Sequence, residues 1–205
     1  MKLREVILLF LFITSKFYTQ DTTAINKSRL KKNYIEFNFS QNTASLLKPS
    51  FLAFHPGINS TLSCQLNNND KFQIRQDFIG GFFYHKSFQS VIQLYSELNF
   101  KIKVLDRFYL SPLVMGGGYY MSFLNMQSFY WDGNQYISRA ITMKNNWVIS
   151  LGSNLEFPTK LKLINKPINI IAKYRLQVQG VIVRYNVPII AYSPIMLGIS
   201  LPINN

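Results

Sequence analysis

Charge, cysteine and histidine are all scarce in this sequence. Charged residues make up 15% of its 205 positions, whereas roughly a quarter of the residues in an ordinary soluble domain are charged. The single cysteine, Cys64, excludes an intrachain disulfide and a multi-cysteine metal site. The two histidines, His55 and His85, are too few for a histidine-rich metal site. The sequence therefore predicts no bound metal and no cofactor.

Long apolar runs are also missing after the first twenty residues, although 48% of the residues are hydrophobic and 15% are aromatic. This apolar content excludes disorder as the state of the whole chain. A transmembrane helix needs about 20 consecutive apolar residues, and no such stretch follows. A chain that is apolar and poor in charge without long apolar runs is typical of a membrane β-barrel, because its strands place apolar side chains at every second position.

Carboxylates are few, with 9 Asp and Glu against 22 Lys and Arg, and the net charge is +13. The basic residues are scattered singly, and only Lys31 and Lys32 are adjacent after the first twenty residues. No recognition helix or zinc-ligand spacing accompanies them, so a nucleic-acid partner is not expected. Attraction to anionic lipid head groups explains the basic excess at least as well.

Residues 1–20 are predicted to be a cleaved secretory signal peptide. Lys2 and Arg4 form its positive segment, and residues 6–13 (VILLFLFI) form an uninterrupted apolar core. That core is too short to span a bilayer. The alternative, a buried first strand or helix, is disfavoured by the charged flank and the polar stretch that follows. We expect residues 21–205 to leave the cytoplasm and to form one domain.

A period of two dominates the rest of the chain. Between residues 168 and 179, Ile170 and Ala172 occupy one face while Lys173 and Arg175 occupy the other. Successive side chains of a strand point to opposite sides, so one face is apolar and the other carries charge. The same pattern predicts eight strands, near residues 33–40, 51–66, 71–84, 89–104, 108–124, 146–158, 167–183 and 188–203.

Short turn-like connections indicate antiparallel hairpins throughout. With Tyr185 and Asn186 as a two-residue turn, Leu176 would face Ile195, and the apolar faces of the last two strands would coincide. An even strand number and a periplasmic amino terminus would place the longest connection, residues 125–145, outside the cell. The predicted fold class is therefore all-β, an antiparallel up-and-down transmembrane β-barrel of about eight strands.

A secreted lipocalin-like barrel that binds an apolar ligand would show the same alternation, with its apolar side inward. The length of the strands, the scarcity of charge and the mixed-sign charges of the polar faces argue against it. Aromatic residues near strand ends would suit membrane girdles. They are Phe108, Tyr109, Tyr119, Tyr120, Phe123, Trp147 and Phe157.

The signal peptide, the strand rhythm, the His55-Pro56-Gly57 turn and the GGGYY sequence at 116–120 resemble those of small outer-membrane β-barrel proteins of the Bacteroidota, of the eight-stranded size class. The resemblance implies a structural, accessory or binding role without catalysis. It implies as partners the outer-membrane lipids, the barrel assembly machinery during biogenesis and, as one option, a larger outer-membrane complex. The chain departs from such barrels in ending LPINN, without a terminal aromatic residue.

An enzymatic alternative rests on His85, Ser87 and Glu97, which are similar to elements of barrel-type lipid A deacylases. A hairpin centred near Ser87 would place Glu97 opposite Asp77, roughly 27 Å along the strands from His85. Nucleophilic catalysis needs these groups in hydrogen-bond contact, so this triad cannot close in that register.

Two other groups of residues are candidate sites. Tyr130, Trp131 and Asp132 are candidates for a ligand-binding loop tip, because loops carry function in such barrels. The polar strand faces predict a charge network inside the barrel, in which Arg75 would neutralise both Glu97 and Asp77. Buried charges must be paired, and an eight-stranded barrel is too narrow for an open channel. The network comprises Arg75, Asp77, Glu97, Lys101, Glu156, Lys173 and Arg175.

Overall fold

The computed structural model of the chain describes residues 32–44, 54–86, 89–104, 108–124, 128–139, 143–183 and 187–203. The predicted signal peptide and Ser87 lie outside the described residues. Eleven strand segments follow one another: β1 (Asn33–Gln41), β2 (Pro56–Gln65), β3 (Phe72–His85), β4 (Gln89–Val104), β5 (Phe108–Leu124), β6 (Ser128–Trp131), β7 (Tyr136–Arg139), β8 (Lys144–Leu163), β9 (Lys166–Val183), β10 (Val187–Tyr192) and β11 (Ile195–Pro202). No helix long and apolar enough to cross a bilayer occurs within these ranges.

The sheet closes on itself through its first and last strands. Phe37 of β1 faces Ser60 of β2 on one side and Ile199 of β11 on the other, and both pairings are antiparallel. Strands β2, β3, β4, β5, β8 and β9 follow in order around the ring, and β9 then pairs with β11. Because β10 and β11 are two parts of one strand, the described residues form a closed antiparallel barrel of eight strands. The predicted fold class is confirmed.

The alternation of side chains matches the pleat of the strands, with apolar residues outward. Along β4, Leu94 is 71% exposed and Ile92 is 46% exposed. Gln93, which lies between them, and Glu97, three residues after Leu94, are buried. β8 repeats this pattern, with Ile149 and Leu151 exposed and Ser150 buried. Apolar side chains thus cover the outside of the barrel, and polar side chains fill most of its interior.

The eighth strand is split at Pro194, which has no N–H to donate to a neighbour. The ladder nevertheless continues on both sides of the split. Ser193 N donates to Thr43 O at 2.8 Å, and Arg175 N donates to Pro194 O at 3.0 Å.

The predicted register of the last hairpin is wrong by two residues, since Ile195 pairs with Tyr174 and not with Leu176. The connection between β9 and β10 starts after Val183 and ends before Val187, one residue longer than the predicted turn. A register shift between Val187 and Ile189 adds the second residue. A displacement of two residues keeps each side chain on its predicted face, which is why the apolar faces still coincide.

Two hairpins extend beyond the ring of strands. At the end that carries the connections after β1, β3 and β5, β6 and β7 form a separate two-stranded sheet within the long connection predicted at residues 125–145. At the opposite end, β8 and β9 continue past their other neighbours. Their turn is formed by Ile164 and Asn165, both with positive φ, of 53° and 61°. Positive φ at both central residues is typical of a two-residue hairpin turn, but it disfavours a β-branched residue such as Ile164.

Gly116 shows how closely neighbouring strands approach inside the barrel. It lies between Glu97 of β4 and Ser150 of β8, and a Cβ atom there would stand 2.0 Å from Ser96 O and 2.8 Å from Glu97 Cγ. A Cβ atom at Gly80 would meet no atom within 4 Å. Gly116 therefore makes room for the Glu97 side chain.

We expect Gly116→Ala to lower the free energy of unfolding by about 1–3 kcal/mol, because strand backbone and Glu97 must both shift to admit the methyl group. Gly80→Ala is the matched control and should leave stability unchanged or slightly raised. Urea titration of both variants in phospholipid vesicles would measure the difference. Equal stabilities for the two variants would contradict this account of Gly116.

Candidate functional site

The barrel interior holds a layer of buried charged side chains whose signs balance. Among the described residues, the buried charged groups are four carboxylates and four cations. They are Glu36, Asp77, Glu97 and Glu156, with Arg75, Lys101, Lys173 and Arg175. This set contains all seven predicted interior residues, together with Glu36. The net charge of +13 is therefore carried outside this layer.

Arg175 is the most highly coordinated member of the charged layer. Its Nε donates to Glu97 Oε1 at 2.9 Å and its Nη2 donates to Glu97 Oε2 at 2.9 Å, a two-pronged arrangement that crosses the interior from β9 to β4. Its Nη1 donates to Asn154 Oδ1 at 2.6 Å, and Ser150 Oγ donates to Glu97 Oε1 at 2.7 Å. Both charged groups are thus satisfied by several hydrogen bonds, as burial of an ion pair requires.

Glu156 forms a second centre with two cations. Lys101 Nζ donates to Glu156 Oε2, and Arg75 Nη1 lies 3.6 Å from the same oxygen. The Arg75 guanidinium also stacks over the ring of Tyr34, with Cζ 3.9 Å from its centroid, and Lys101 Nζ lies 4.1 Å from the centroid of the Tyr109 ring. Cations over aromatic faces gain further stabilisation where water is excluded.

The remaining two carboxylates lie on β1 and β3. Lys173 Nζ of β9 donates to Glu36 Oε2 of β1, past β11, which lies between these two strands. Asn99 Nδ2 donates to Asp77 Oδ2 at 3.0 Å. Asp77 faces Glu97 in the ladder between β3 and β4, as the hairpin register predicts.

The predicted role of Arg75 is wrong in one respect. We expected its guanidinium to neutralise Glu97 and Asp77, but Arg75 Nη2 donates to Gln73 Oε1 at 2.7 Å and approaches Glu156. Glu97 is instead paired with Arg175 from the far side of the barrel. The register of one hairpin predicts only neighbours on adjacent strands, whereas long side chains in a narrow barrel reach across it.

Sequence analysis missed Glu36 and Tyr34, although their signal was present. Applying the period of two to β1 places Tyr34, Glu36 and Asn38 on the face opposite Phe37 and Phe39. That comparison would have predicted Glu36 as an interior carboxylate. No pattern within β1 could have predicted Lys173 as its partner, because the two strands meet only when the barrel closes.

A second interior layer is apolar and aromatic, contrary to the rule that the inward face is polar. It lies nearer the end of the barrel where β3 and β4 connect. Phe83 packs edge-on against Tyr192, with ring centroids 5.3 Å apart, and against Tyr120 at 5.9 Å. Tyr120, predicted for a membrane girdle, is fully buried here. The layer comprises Ile79, Phe83, Val91, Tyr95, Tyr120, Val148 and Tyr192.

Amide and hydroxyl side chains cover this apolar layer. Gln89 Nε2 donates to Tyr192 Oη at 2.7 Å and to Gln179 Oε1 at 2.8 Å. Gln179 Nε2 donates to Ser122 Oγ at 2.9 Å. Along β4 the inward side chains thus change from charged at Lys101 and Glu97 to mainly apolar at Tyr95 and Val91, and then to neutral polar at Gln89.

The two histidines of the chain meet at the same end of the barrel, outside these layers. The rings of His55 and His85 stack with centroids 3.7 Å apart. Glu97 lies eight ladder positions from His85 and is engaged by Arg175, so it cannot orient His85 for catalysis. Within the described ranges, no group of three or more His, Cys, Asp or Glu side chains is placed to hold a metal ion.

The predicted loop-tip residues lie on the β6–β7 hairpin. Tyr130 and Trp131 belong to β6 and pair with Ile137 and Tyr136. Asp132 forms the turn, where its Oδ1 accepts hydrogen bonds from Asn134 N and Gln135 N, both at 2.8 Å. These two amides hold the pKa of the Asp132 carboxyl below its ordinary value. The carboxylate thus has a structural part in the turn.

We expect Arg175→Met to lower the free energy of unfolding by about 3–5 kcal/mol, because Glu97 would remain buried and charged without its partner. The double variant Arg175→Met, Glu97→Gln should lose less. Arg75→Met is the matched control and should cost less than Arg175→Met, since Lys101 still neutralises Glu156. Urea unfolding in vesicles would test this order, and a larger loss for Arg75→Met would contradict it.

The depressed pKa of Asp132 predicts a pH-dependent turn. Stabilisation by the carboxylate is present above the pKa of an unstructured aspartate and disappears as pH falls through the lower folded pKa. The amide proton shifts of Asn134 and Gln135 should therefore titrate together, with a midpoint below that of an unstructured aspartate. Asp132→Asn should abolish this titration. A midpoint at or above the ordinary value would refute the assignment.

Comparison with known proteins gives likeness in fold alone. No known protein-family model matches the chain, and no curated protein matches it. Among solved structures, Neisserial surface protein A (NspA) aligns with a TM-score of 0.46 and 11% identity over 82% of this chain and 96% of that one. The outer membrane protein Ail of Yersinia pestis, in a phospholipid bilayer nanodisc, aligns with a TM-score of 0.41 and 14% identity over 84% and 99%. The N-terminal β-barrel domain of Pseudomonas aeruginosa OprF aligns with a TM-score of 0.42 and 9% identity over 83% of this chain and 98% of that one.

Proposed function

We propose that the chain is an integral outer-membrane β-barrel protein with a structural, accessory or binding role, without catalysis, whose interior is closed to ions. The observation that carries this proposal is the inversion of polarity across the barrel wall. Charged side chains are buried inside, while Leu94, Ile58 and Leu197 are exposed outside at 71%, 63% and 61%.

A lipid environment accounts for this inversion. A continuous apolar exterior exceeds the exposed apolar patches of soluble monomers. In a bilayer, every backbone N–H and C=O must be satisfied within the protein, and a closed ring of strands achieves this. The polar interior argues against the lipocalin-like alternative, because an apolar ligand would there displace paired charges instead of contacting apolar side chains.

Closure to ions is supported by the interior layers. Arg175 reaches Glu97 across the barrel, and the aromatic rings of Phe83, Tyr120 and Tyr192 pack together in a separate layer. Small barrels of this strand number are filled by side chains and lack an aqueous channel. An ion would have to break both the paired charges and the aromatic packing to pass.

Export and assembly complete the proposal. Residues 1–20 serve as a cleaved signal peptide, on the basis of Lys2, Arg4 and the apolar run at 6–13. The barrel assembly machinery would insert the chain, which could then join a larger outer-membrane complex. The His55-Pro56-Gly57 sequence at the start of β2 and the GGGYY sequence favour a relationship with the small barrels of the Bacteroidota.

A second candidate function is ligand binding by the β6–β7 hairpin. Tyr136 on this hairpin is 73% exposed, and Tyr130 and Trp131 lie on the adjacent strand. Aromatic residues on a protruding hairpin are suited to contacting a partner outside the membrane. Asp132 would support such binding by fixing the turn.

Fractionation and conductance together test the primary proposal. The protein made in a Gram-negative host should fractionate with outer membranes and should migrate differently on a gel before and after boiling. In planar bilayers it should give no stable conductance steps, while an open porin measured in the same way does. We expect no conductance because the paired charges and the aromatic layer fill the barrel interior.

Two outcomes would contradict the proposal separately. Recovery in a soluble fraction would refute the membrane placement and would favour a secreted barrel. Stable, porin-sized conductance from membrane-inserted protein would refute closure alone.

A further inference from the structure

The β8–β9 hairpin extends beyond the barrel at the end opposite the β6–β7 hairpin. β5 pairs with β8 as far as Glu156, and β11 pairs with β9 as far as Asn169. Beyond those positions β8 and β9 pair only with each other, through pairs such as Leu163 with Lys166. We call residues 159–168 the basic ribbon.

The apolar face of the basic ribbon continues the outer surface of the barrel. Leu163 pairs with Lys166 and therefore lies on the same side of the sheet. Alternation along β9 places Ile168 and Ile170 on that side too, and Ile170 is an exposed outward residue. The apolar exterior thus extends further at this hairpin than at the neighbouring strands.

The tip of the ribbon exposes apolar side chains where local preferences favour others. Ile164 is 85% exposed and Leu161 is 65% exposed. Ile164 also has a φ of 53°, at a turn position that asparagine or glycine fills without strain. Neither the exposure of the Ile164 side chain nor its backbone conformation stabilises the protein by itself, which points to a contact outside it.

Lysines of the ribbon provide the polar half of an amphipathic surface. Lys160 and Lys162 alternate with Leu161 and Leu163 along β8, and the sequence contains no carboxylate after Glu156. Lys166 lies on the side of Leu163, where its Nζ donates to Ile203 O. Lys162 pairs with Pro167 and lies on the side opposite Leu163. Apolar side chains beside lysines, with no carboxylate in the same segment, are the composition of elements that lie in the head-group region of an anionic bilayer.

We propose that the basic ribbon binds anionic phospholipids in the inner leaflet of the outer membrane. Leu161, Leu163 and Ile164 enter the acyl-chain boundary, and the ammonium groups of Lys160 and Lys162 contact the lipid phosphates. The inference rests on the proposed membrane placement and on the predicted topology, with the β6–β7 hairpin outside. A lysine near an anionic surface contributes about a fivefold change in partitioning.

Amide hydrogen exchange of the whole protein in nanodiscs tests this proposal. We expect the peptide covering 159–168 to exchange at least about fivefold more slowly in phosphatidylcholine–phosphatidylglycerol discs than in phosphatidylcholine discs. Lys160→Gln with Lys162→Gln should remove the dependence on phosphatidylglycerol. Lys71→Gln with Lys103→Gln, at the same end of the barrel but outside the ribbon, is the matched control and should preserve it.

Ile164→Asn distinguishes lipid contact from a merely structural role. Asparagine suits the turn, so in detergent the variant should protect the ribbon amides as well as the parent or better. In phosphatidylglycerol discs it should protect them less than the parent. A purely structural isoleucine would give changes of the same sign in both settings, which would overturn the proposal.

The remaining outcomes separate the causes of failure. Rapid exchange throughout β4 and β9 in nanodiscs would refute the membrane placement itself. Protected barrel strands with equal ribbon exchange in both discs would refute lipid binding alone. Ribbon protection that appears only in native outer-membrane vesicles would assign the ribbon to an acidic protein partner.

Thiol labelling in intact cells of a Cys64→Ser background tests the topology. An impermeant thiol reagent should label Asn134→Cys and not Asn165→Cys, and the reverse pattern would place the ribbon in the outer leaflet.

Discussion

The need to pair every backbone N–H and C=O in an apolar environment governs this fold. A sheet with free edges would leave a row of unsatisfied groups in lipid, whereas a ring leaves none. The pairing of Phe37 with Ile199 completes that ring. Closure then fixes the side-chain arrangement, because the pleat must place alternate residues outward, toward lipid in the proposed placement, and inward into a narrow space.

That narrow space explains the composition of the interior. Charges there cannot be solvated as on a protein surface, so they occur in equal numbers, and Glu36, Glu97 and Glu156 each contact a cation. Gly116 helps to fit these charges into the interior, because its lack of a side chain makes room for Glu97 beside Ser150. The aromatic layer around Phe83 fills the remaining width where no charges are available to pair.

Period-two alternation made most of the fold predictable, since it directly reflects the two environments of a barrel wall. β4 and β5 have the predicted bounds, and the residues of the charge network face inward as the pattern predicts. The pattern says nothing about contacts across the interior, so the partner of Glu97 was misassigned. Alternation from Asp77 also places Phe83 inward, but the pattern does not separate the inward from the outward apolar residues of β5, so the aromatic layer with Tyr120 was not predicted. Turn length and the shift after Val187 displaced the last register by two residues without changing any facing.

The ion pairs of the interior join strands that are far apart along the chain. Glu36 and Lys173 are 137 positions apart, and Glu97 and Arg175 are 78 positions apart. Until β1 meets the last strands, Lys173 cannot reach its carboxylate. A hairpin inserted alone would expose these charges to lipid, at a free-energy cost that no local contact offsets. In the proposed membrane placement, folding and insertion therefore occur together, with the strands crossing the bilayer as the ring closes and not one hairpin at a time.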